Sequence, residues 1–274
     1  MAARAMRERI QKLLAARGVG SRRQVEAWIS AGRITVNGEP AVPGQPVDER
    51  DDVRLDGRRL RLALRGDDTQ RGLAYHRPAQ EGVRASADAE TPSSLEKLPK
   101  SAGRRWIPVS PLAAVDGGLE LFVTDGRLAA ALARRGHEIS CEYSVRVRGD
   151  FDETSAPRVM QAAATDEAAA GRLTEIAIAG GEGSNRWLQL SCIGLRPRDL
   201  KALFERCGFE ANRVLRTRFG PIVMDRGLAR GRSRALTEGE LRALHEAAGI
   251  PLPPGDAGRR EAARVRSGSR RTSR

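Results

Sequence analysis

"RERIQKLLAARGVGSRRQVEAWISAGRITVNGEP", residues 7–40, changes its hydrophobic period partway along. Ile10, Leu13 and Leu14 recur at i, i+3 and i+4, which puts one apolar stripe on a helix and leaves Arg7, Arg9 and Lys12 largely off it. Gly18 and Gly20 stop that helix, and Ser21 is placed to cap a second one, with Gln24 as the other half of a capping box. Val25, Trp28 and Ile29 repeat the helical stripe until Gly32 ends it. The period then falls to two at Ile34 and Val36, and Asn37-Gly38 predicts a tight hairpin turn, whose central residues need positive φ. Arg9, Lys12, Arg22, Arg23 and Arg33 fall on the exposed ends of these elements. Guanidinium forks and helix N-termini both suit phosphate oxygens.

The whole chain has the same bias. Its 274 residues carry a formal net charge of +13, which points to a polyanionic partner, with nucleic acid first among them. Nearly all of the positive charge is arginine, since Lys12, Lys97, Lys100 and Lys201 are the only lysines. Cys141, Cys192 and Cys207 have no CxxC spacing, and His76, His137 and His245 are scattered, which argues against a zinc site or a disulfide framework. No apolar run approaches a membrane span, and a cytoplasmic protein, monomeric and away from membranes, is expected.

The order helix, Gly, Ser-Arg-Arg, helix, Gly-Arg, strand, Val-Asn-Gly resembles the S4-like RNA-binding domain over residues 7–62. The resemblance implies RNA contacts from Arg9, Lys12, Ser21, Arg22, Arg23, Arg33 and Asn37. It divides the chain into an RNA-binding domain at 1–62, a polar linker at 63–71, a larger domain at 72–248 and a Pro-, Gly-, Ser- and Arg-rich tail at 249–274, for which disorder is expected. In the larger domain, strand-like and helix-like runs interleave without regular alternation, so an α+β fold with a mixed sheet is predicted. "GGEGSNRW" lacks the Lys-Ser/Thr of a phosphate loop and reads as a sharp turn.

"AYHRP", "RWIPVSPL", "GLELFVTDGRLAAAL", "EYSVRV", "GGEGSNRWLQL", "RPRDLKALFERCG" and "NRVLRTRFGPI" follow in that order. They resemble bacterial ribosomal RNA pseudouridine synthases of the small subunit pseudouridine synthase A family. The resemblance implies isomerisation of a chosen uridine in ribosomal RNA, with no cofactor and no metal. It assigns Tyr143 to packing against the target base and Arg198 and Lys201 to a basic helix entry, with a cation near Lys201 pairing the catalytic carboxylate. Lysine stands there where the family commonly shows arginine, and a lysine lacks the bidentate fork.

The decisive stretch is "VSPLAAVDGGLELFVTDG", Val109 to Gly126. Leu119, Leu121 and Val123 alternate like a half-buried strand. The family pattern here runs Arg-Leu-Asp, a short variable segment, Gly-Leu-Leu, and a strand ending in Thr-Asp-Gly. Laid on Gly118, Leu119, Leu121 and Thr124-Asp125-Gly126, it puts Pro111 in place of the Arg and Ala113 in place of the catalytic Asp. The expectation is an RNA-binding protein whose isomerase activity is impaired or lost, because a methyl group can act neither as nucleophile nor as base. The alternative is an active synthase using Asp116 or another acid. Three extended residues span roughly 10 Å, and catalytic geometry tolerates about 1 Å of displacement, so that alternative requires a locally rearranged loop. A general DNA or tRNA binder is the third and least favoured class, since both modules are of RNA type.

Overall fold

The computed structural model describes residues 7–48, 50–60, 62, 71–84, 93–100, 105–165, 171–181 and 183–252. The expected linker lies almost wholly, and the expected tail mostly, outside them. The chain divides into two compact units, one holding residues 1–70 and the other holding 71–99 and 107–252.

In the front unit, helices α1 (Ile10–Ala16) and α2 (Arg22–Ser30) follow a short strand β1 (Glu8–Arg9). The Ser21 side chain accepts the Gln24 backbone N–H at 3.1 Å, which is the predicted cap. Gly20 has a packing reason beyond stopping the helix: a Cβ there would stand 2.8 Å from the Trp28 ring. Strand β2 (Ile34–Val36) returns as β3 (Glu39–Pro40) through Asn37 and Gly38, at φ 54° and 92°, so the tight turn is formed. β4 (Pro46–Val47) pairs with β1, while β5 (Val53–Leu55) and β6 (Arg58–Arg59) complete the sheet order β3-β2-β5-β6. Ile10, Leu14, Val25, Ile34, Val47 and Val53 are fully buried and form its core.

The second unit is built on a nine-stranded mixed sheet. Its strands are β7 (Gly72–Arg77), β8 (Ile107–Val109), β9 (Gly117–Val123), β10 (Ser140–Arg148), β11 (Arg172–Gly180), β12 (Asn185–Ile193), β13 (Glu210–Phe219), β14 (Ile222–Val223) and β15 (Ser233–Ala235). The main order is β11-β12-β10-β13-β9-β7-β15, with β8 on β9 and β14 on β13. The β13–β9 pair is parallel and the other pairs are antiparallel. Helices α3 (Ser94–Lys97), α4 (Gly126–Arg134), α5 (Ser155–Ala164), α6 (Pro197–Arg206) and α7 (Glu238–Ala247) connect or flank the strands. α6 shows why this sequence packs where it does. Pro197 opens it, Asp199 accepts the Arg196 N–H at 2.9 Å, and Leu200, Leu203 and Phe204 bury one face. Each of those burials is worth about 1.5–3 kcal/mol.

One expectation fails at the centre of the sheet. β9 is not half-buried: all seven of its residues are buried, Glu120 and Phe122 as completely as Leu119 and Leu121. Pairing with β13, β7 and β8 covers its edges, and the unbroken burial of alternate residues shows that neither face reaches water.

Candidate active site

The loop between β8 and β9 is held at nearly every residue. Ser110 takes a positive φ of 48°, and its carbonyl accepts Arg216 Nη1–H at 3.0 Å. The Leu112 N–H points to Glu120 Oε2 at 3.4 Å, the Ala113 carbonyl accepts Arg77 Nη2–H at 2.7 Å, and the Ala114 carbonyl accepts the Gln80 N–H at 2.7 Å. The anchoring groups form a buried charge cluster. Arg77 Nε lies 3.2 Å from Glu120 Oε2, Arg216 Nη2 lies 3.7 Å from Glu120 Oε1, and none of the three side chains is more than 1% exposed. Arg216 also donates to the Leu119 carbonyl at 2.8 Å, and Arg77 to the carbonyl of Glu81. Burial pushes the Glu120 carboxyl up, and the two guanidinium groups pull it back. Gly118 admits this construction: at φ 93°, a Cβ there would come within 2.3 Å of the Arg216 carbonyl oxygen.

The loop also turns more tightly than an extended segment. The Asp116 N–H donates to the Ala113 carbonyl at 3.0 Å, so residues 113–116 form a turn and Asp116 is folded back towards position 113. That corrects the spacing of roughly 10 Å expected for an extended chain. Lys201 of α6 meets Asp116 Oδ1 at 2.6 Å, with the Asp116 side chain 4% exposed and the Lys201 side chain 31% exposed. The structure thus joins Lys201 to Asp116, while Ala113 presents a methyl group beside them in the chain.

Tyr143, which the resemblance sets against the target base, is a buried residue of the sheet. It is 2% exposed within the main core, and its hydroxyl donates to the Leu195 carbonyl at 3.3 Å. Burial drives its phenol well above the ordinary range. No face of the ring is open for a base in this structure, and its packing is that of a core tyrosine. Tyr143→Leu is therefore expected to cost about 1–3 kcal/mol, because it strands the Leu195 carbonyl as well as taking the ring out of the core. A thermal melt checks this, at roughly 2–4 °C per kcal/mol for a unit of this size. Arg198 sits at the start of α6 with its side chain 77% exposed, 3.3 Å from its neighbour Asp199.

In the front unit, Arg9, Arg22 and Arg23 are exposed and make no ion pair among the described residues. Three other side chains expected to meet RNA are already engaged. Lys12 meets Glu8 at 2.6 Å, Arg33 meets Asp56 at 2.5 Å, and Asn37 bonds Asp51 at 2.9 Å and the Asp52 N–H at 2.8 Å. Ser21 is spent on its cap.

Sequence reasoning missed Arg77, Glu120 and Arg216. The available signal was Glu120 itself, a carboxylate inside the apolar run "GGLELFV", which demands a buried cation. It also missed Glu81, whose carboxylate accepts from Tyr75 and Ser94, both at 2.7 Å, and pairs with Lys97. Among the described residues no three His, Cys, Asp or Glu side chains group as metal ligands, and no helix is long and apolar enough to cross a membrane. Cys141 and Cys192 stand opposite each other on β10 and β12 as free thiols, the latter pushed up to about 12 by burial.

A small unit of two helices and a hairpin sheet ahead of a large mixed sheet is the architecture of a chain with an S4 domain, and the S4 domain family matches residues 8–53. The chain is 37% identical over 244 residues to ribosomal large subunit pseudouridine synthase B of Pseudomonas aeruginosa, covering 89% of this chain and 63% of that protein's length. It is 35% identical over 252 residues to the protein of that name from Salmonella typhimurium, covering 91% and 85%. The chain belongs to this family of ribosomal RNA pseudouridine synthases. These relatives carry the large-subunit name, where the sequence motifs suggested the small-subunit branch. A solved structure described as "Crystal structure of pseudouridylate synthase" has the same fold, with a TM-score of 0.53 at 19% identity over 86% of this chain and 99% of that one.

Proposed function

We propose that this protein binds ribosomal RNA, as a monomer without cofactor or metal, and that it has lost most or all of the uridine isomerisation of its family. One observation carries the reading. The loop that would present the catalytic acid is anchored by Arg77, Glu120 and Arg216, yet it offers a methyl group at Ala113. The nearest carboxylate on that loop, Asp116, is shut away from solvent against Lys201. Isomerisation needs the base out of its stack, at a cost of a few kcal/mol, and a group to attack or deprotonate it. The first requirement can be met by an RNA-binding surface, and the second is missing at position 113.

The Asp116–Lys201 pair favours a second reading. It joins a folded-back acid to the cation that the family resemblance gives to the catalytic carboxylate, so a displaced acid could take over the reaction. Mapping pseudouridines in ribosomal RNA from a deletion strain separates the two. A complete set supports the first reading, and one missing site that returns with the gene overturns it.

RNA binding has its own test in the front unit. Arg22→Ala/Arg23→Ala is expected to weaken binding to structured ribosomal RNA and to flatten its salt dependence by roughly 0.7–0.9 in log–log slope for each phosphate no longer neutralised. Unchanged affinity and slope would remove the S4 unit from the interface.

A further inference from the structure

The face of the sheet turned away from the core carries a row of side chains that neither the S4 domain nor the loop between β8 and β9 uses. Trp187 on β12 stands opposite Arg146 on β10, and Arg146 stands opposite Arg213 on β13. Directly opposed residues project from the same side of a sheet, and the neighbours Val145, Leu188 and Val214 point into the core. The row therefore faces outward across three adjacent strands, about 10 Å from end to end. Arg146 and Arg213 are exposed and make no ion pair among the described residues. Trp187 is half-buried, and on its other flank it faces Gly180 of β11, which adds no side chain over the indole. At the far end, Arg213 lines a pocket of about 110 Å³ together with His76, Leu215 and the exposed Arg230. That volume holds several waters and so admits a phosphate group.

We propose that this row is a single-stranded RNA platform: Trp187 stacks an unpaired base, Arg146 and Arg213 hold the adjoining phosphates, and the Arg213–Arg230 pocket receives the next one. An aromatic ring beside unpaired guanidinium groups is the chemistry that retains unpaired nucleotides with little regard for sequence. Charge complementarity selects RNA as the occupant, since three arginines here have no carboxylate partner among the described residues while the chain carries +13 overall. The inference rests on the RNA-binding reading above and extends it to a second surface.

The test uses the full chain with Trp28→Phe and Trp106→Phe, which leaves Trp187 as its one tryptophan. Titration with single-stranded oligouridylate is expected to quench its emission in step with binding measured by anisotropy of a labelled oligonucleotide. In the otherwise unaltered protein, Trp187→Ala should weaken that binding about 5- to 150-fold, from about 1–3 kcal/mol of stacking, while Trp187→Phe keeps most of it. Arg146→Ala and Arg213→Ala should each lower the salt slope by about 0.7, and equal melting temperatures show that these variants fold. Unchanged Trp187 emission at saturating oligouridylate overturns the proposal, as does equal quenching by polyglutamate, which would mark a surface for acidic protein. Loss of structured ribosomal RNA binding in Arg22→Ala/Arg23→Ala, with Trp187 quenching intact, reports on the S4 unit alone, so the two readings fail separately.

Discussion

Glu120→Leu is expected to lower the stability of the second unit by about 3–5 kcal/mol, the cost of leaving buried charge without its partner. Arg77 and Arg216 are each 1% exposed and have this one carboxylate between them. With leucine in its place, two guanidinium groups remain in an apolar sheet with no counterion. At roughly 2–4 °C per kcal/mol, the melting temperature should fall by about 6–20 °C. Removing the charges together as Arg77→Met/Glu120→Leu/Arg216→Met should recover part of the loss, because the desolvation cost disappears with the ions. Recovery should be incomplete. The Ser110 and Leu119 carbonyls then lose the Arg216 donor, while the Ala113 carbonyl keeps the Asp116 N–H, and each buried acceptor left unmet costs about 1–3 kcal/mol. Urea unfolding of the single and triple variants measures both effects. A loss below about 1 kcal/mol for Glu120→Leu would show that the cluster does not hold the loop.

The second large effect is on chemistry. The unaltered protein, given unmodified ribosomal RNA, is expected to form no pseudouridine above background, and Asp116→Asn should leave that result unchanged. An acid or base placed at the reacting atoms contributes about 10²–10⁴-fold, and a nucleophile that forms a covalent bond cannot be replaced by a methyl group at all. Ala113→Asp should restore only a trace. The loop itself is in place, but Pro111 stands where the family resemblance expects an arginine, and Lys201 is already bound to Asp116 at 2.6 Å. A new carboxylate at position 113 would therefore lack the groups that orient it, and such support decides whether a site works. Ala113→Asp/Asp116→Asn, which frees Lys201, should do better than Ala113→Asp alone. Because the product has the same mass as uridine, release of tritium from RNA labelled at uridine C5, or primer-extension stops at carbodiimide adducts, reads all four proteins. Clear product from the unaltered protein that vanishes in Asp116→Asn would establish a working enzyme with a displaced acid.

Local chemistry was legible wherever a few adjacent residues decide the outcome. The Ser21 cap, the Asn37-Gly38 turn and the apolar stripe of Ile10, Leu13 and Leu14 depend on neighbours within one turn of chain, and each is formed as the residues imply. That Ala113 stands where the family resemblance expects an aspartate is read in the same way, by counting back from Gly118 along one segment. Long-range partners were not legible. Glu120 meets Arg77 and Arg216 across 43 and 96 positions of sequence, and nothing at any of the three names the other two.

By itself, then, the sequence determined the two kinds of unit and the arginine-rich ends of the front helices, because these follow from residue type, period and spacing along a single segment. Only the tertiary structure decided that β9 is buried on both faces, that Tyr143 belongs to the core, and that Asp116 folds back onto Lys201. It also aligned Trp187, Arg146 and Arg213 on one face of the sheet. Burial and ion pairing depend on which strands become neighbours. That is settled by the packing of the whole sheet, in which the parallel β13–β9 pairing brings together residues about a hundred positions apart.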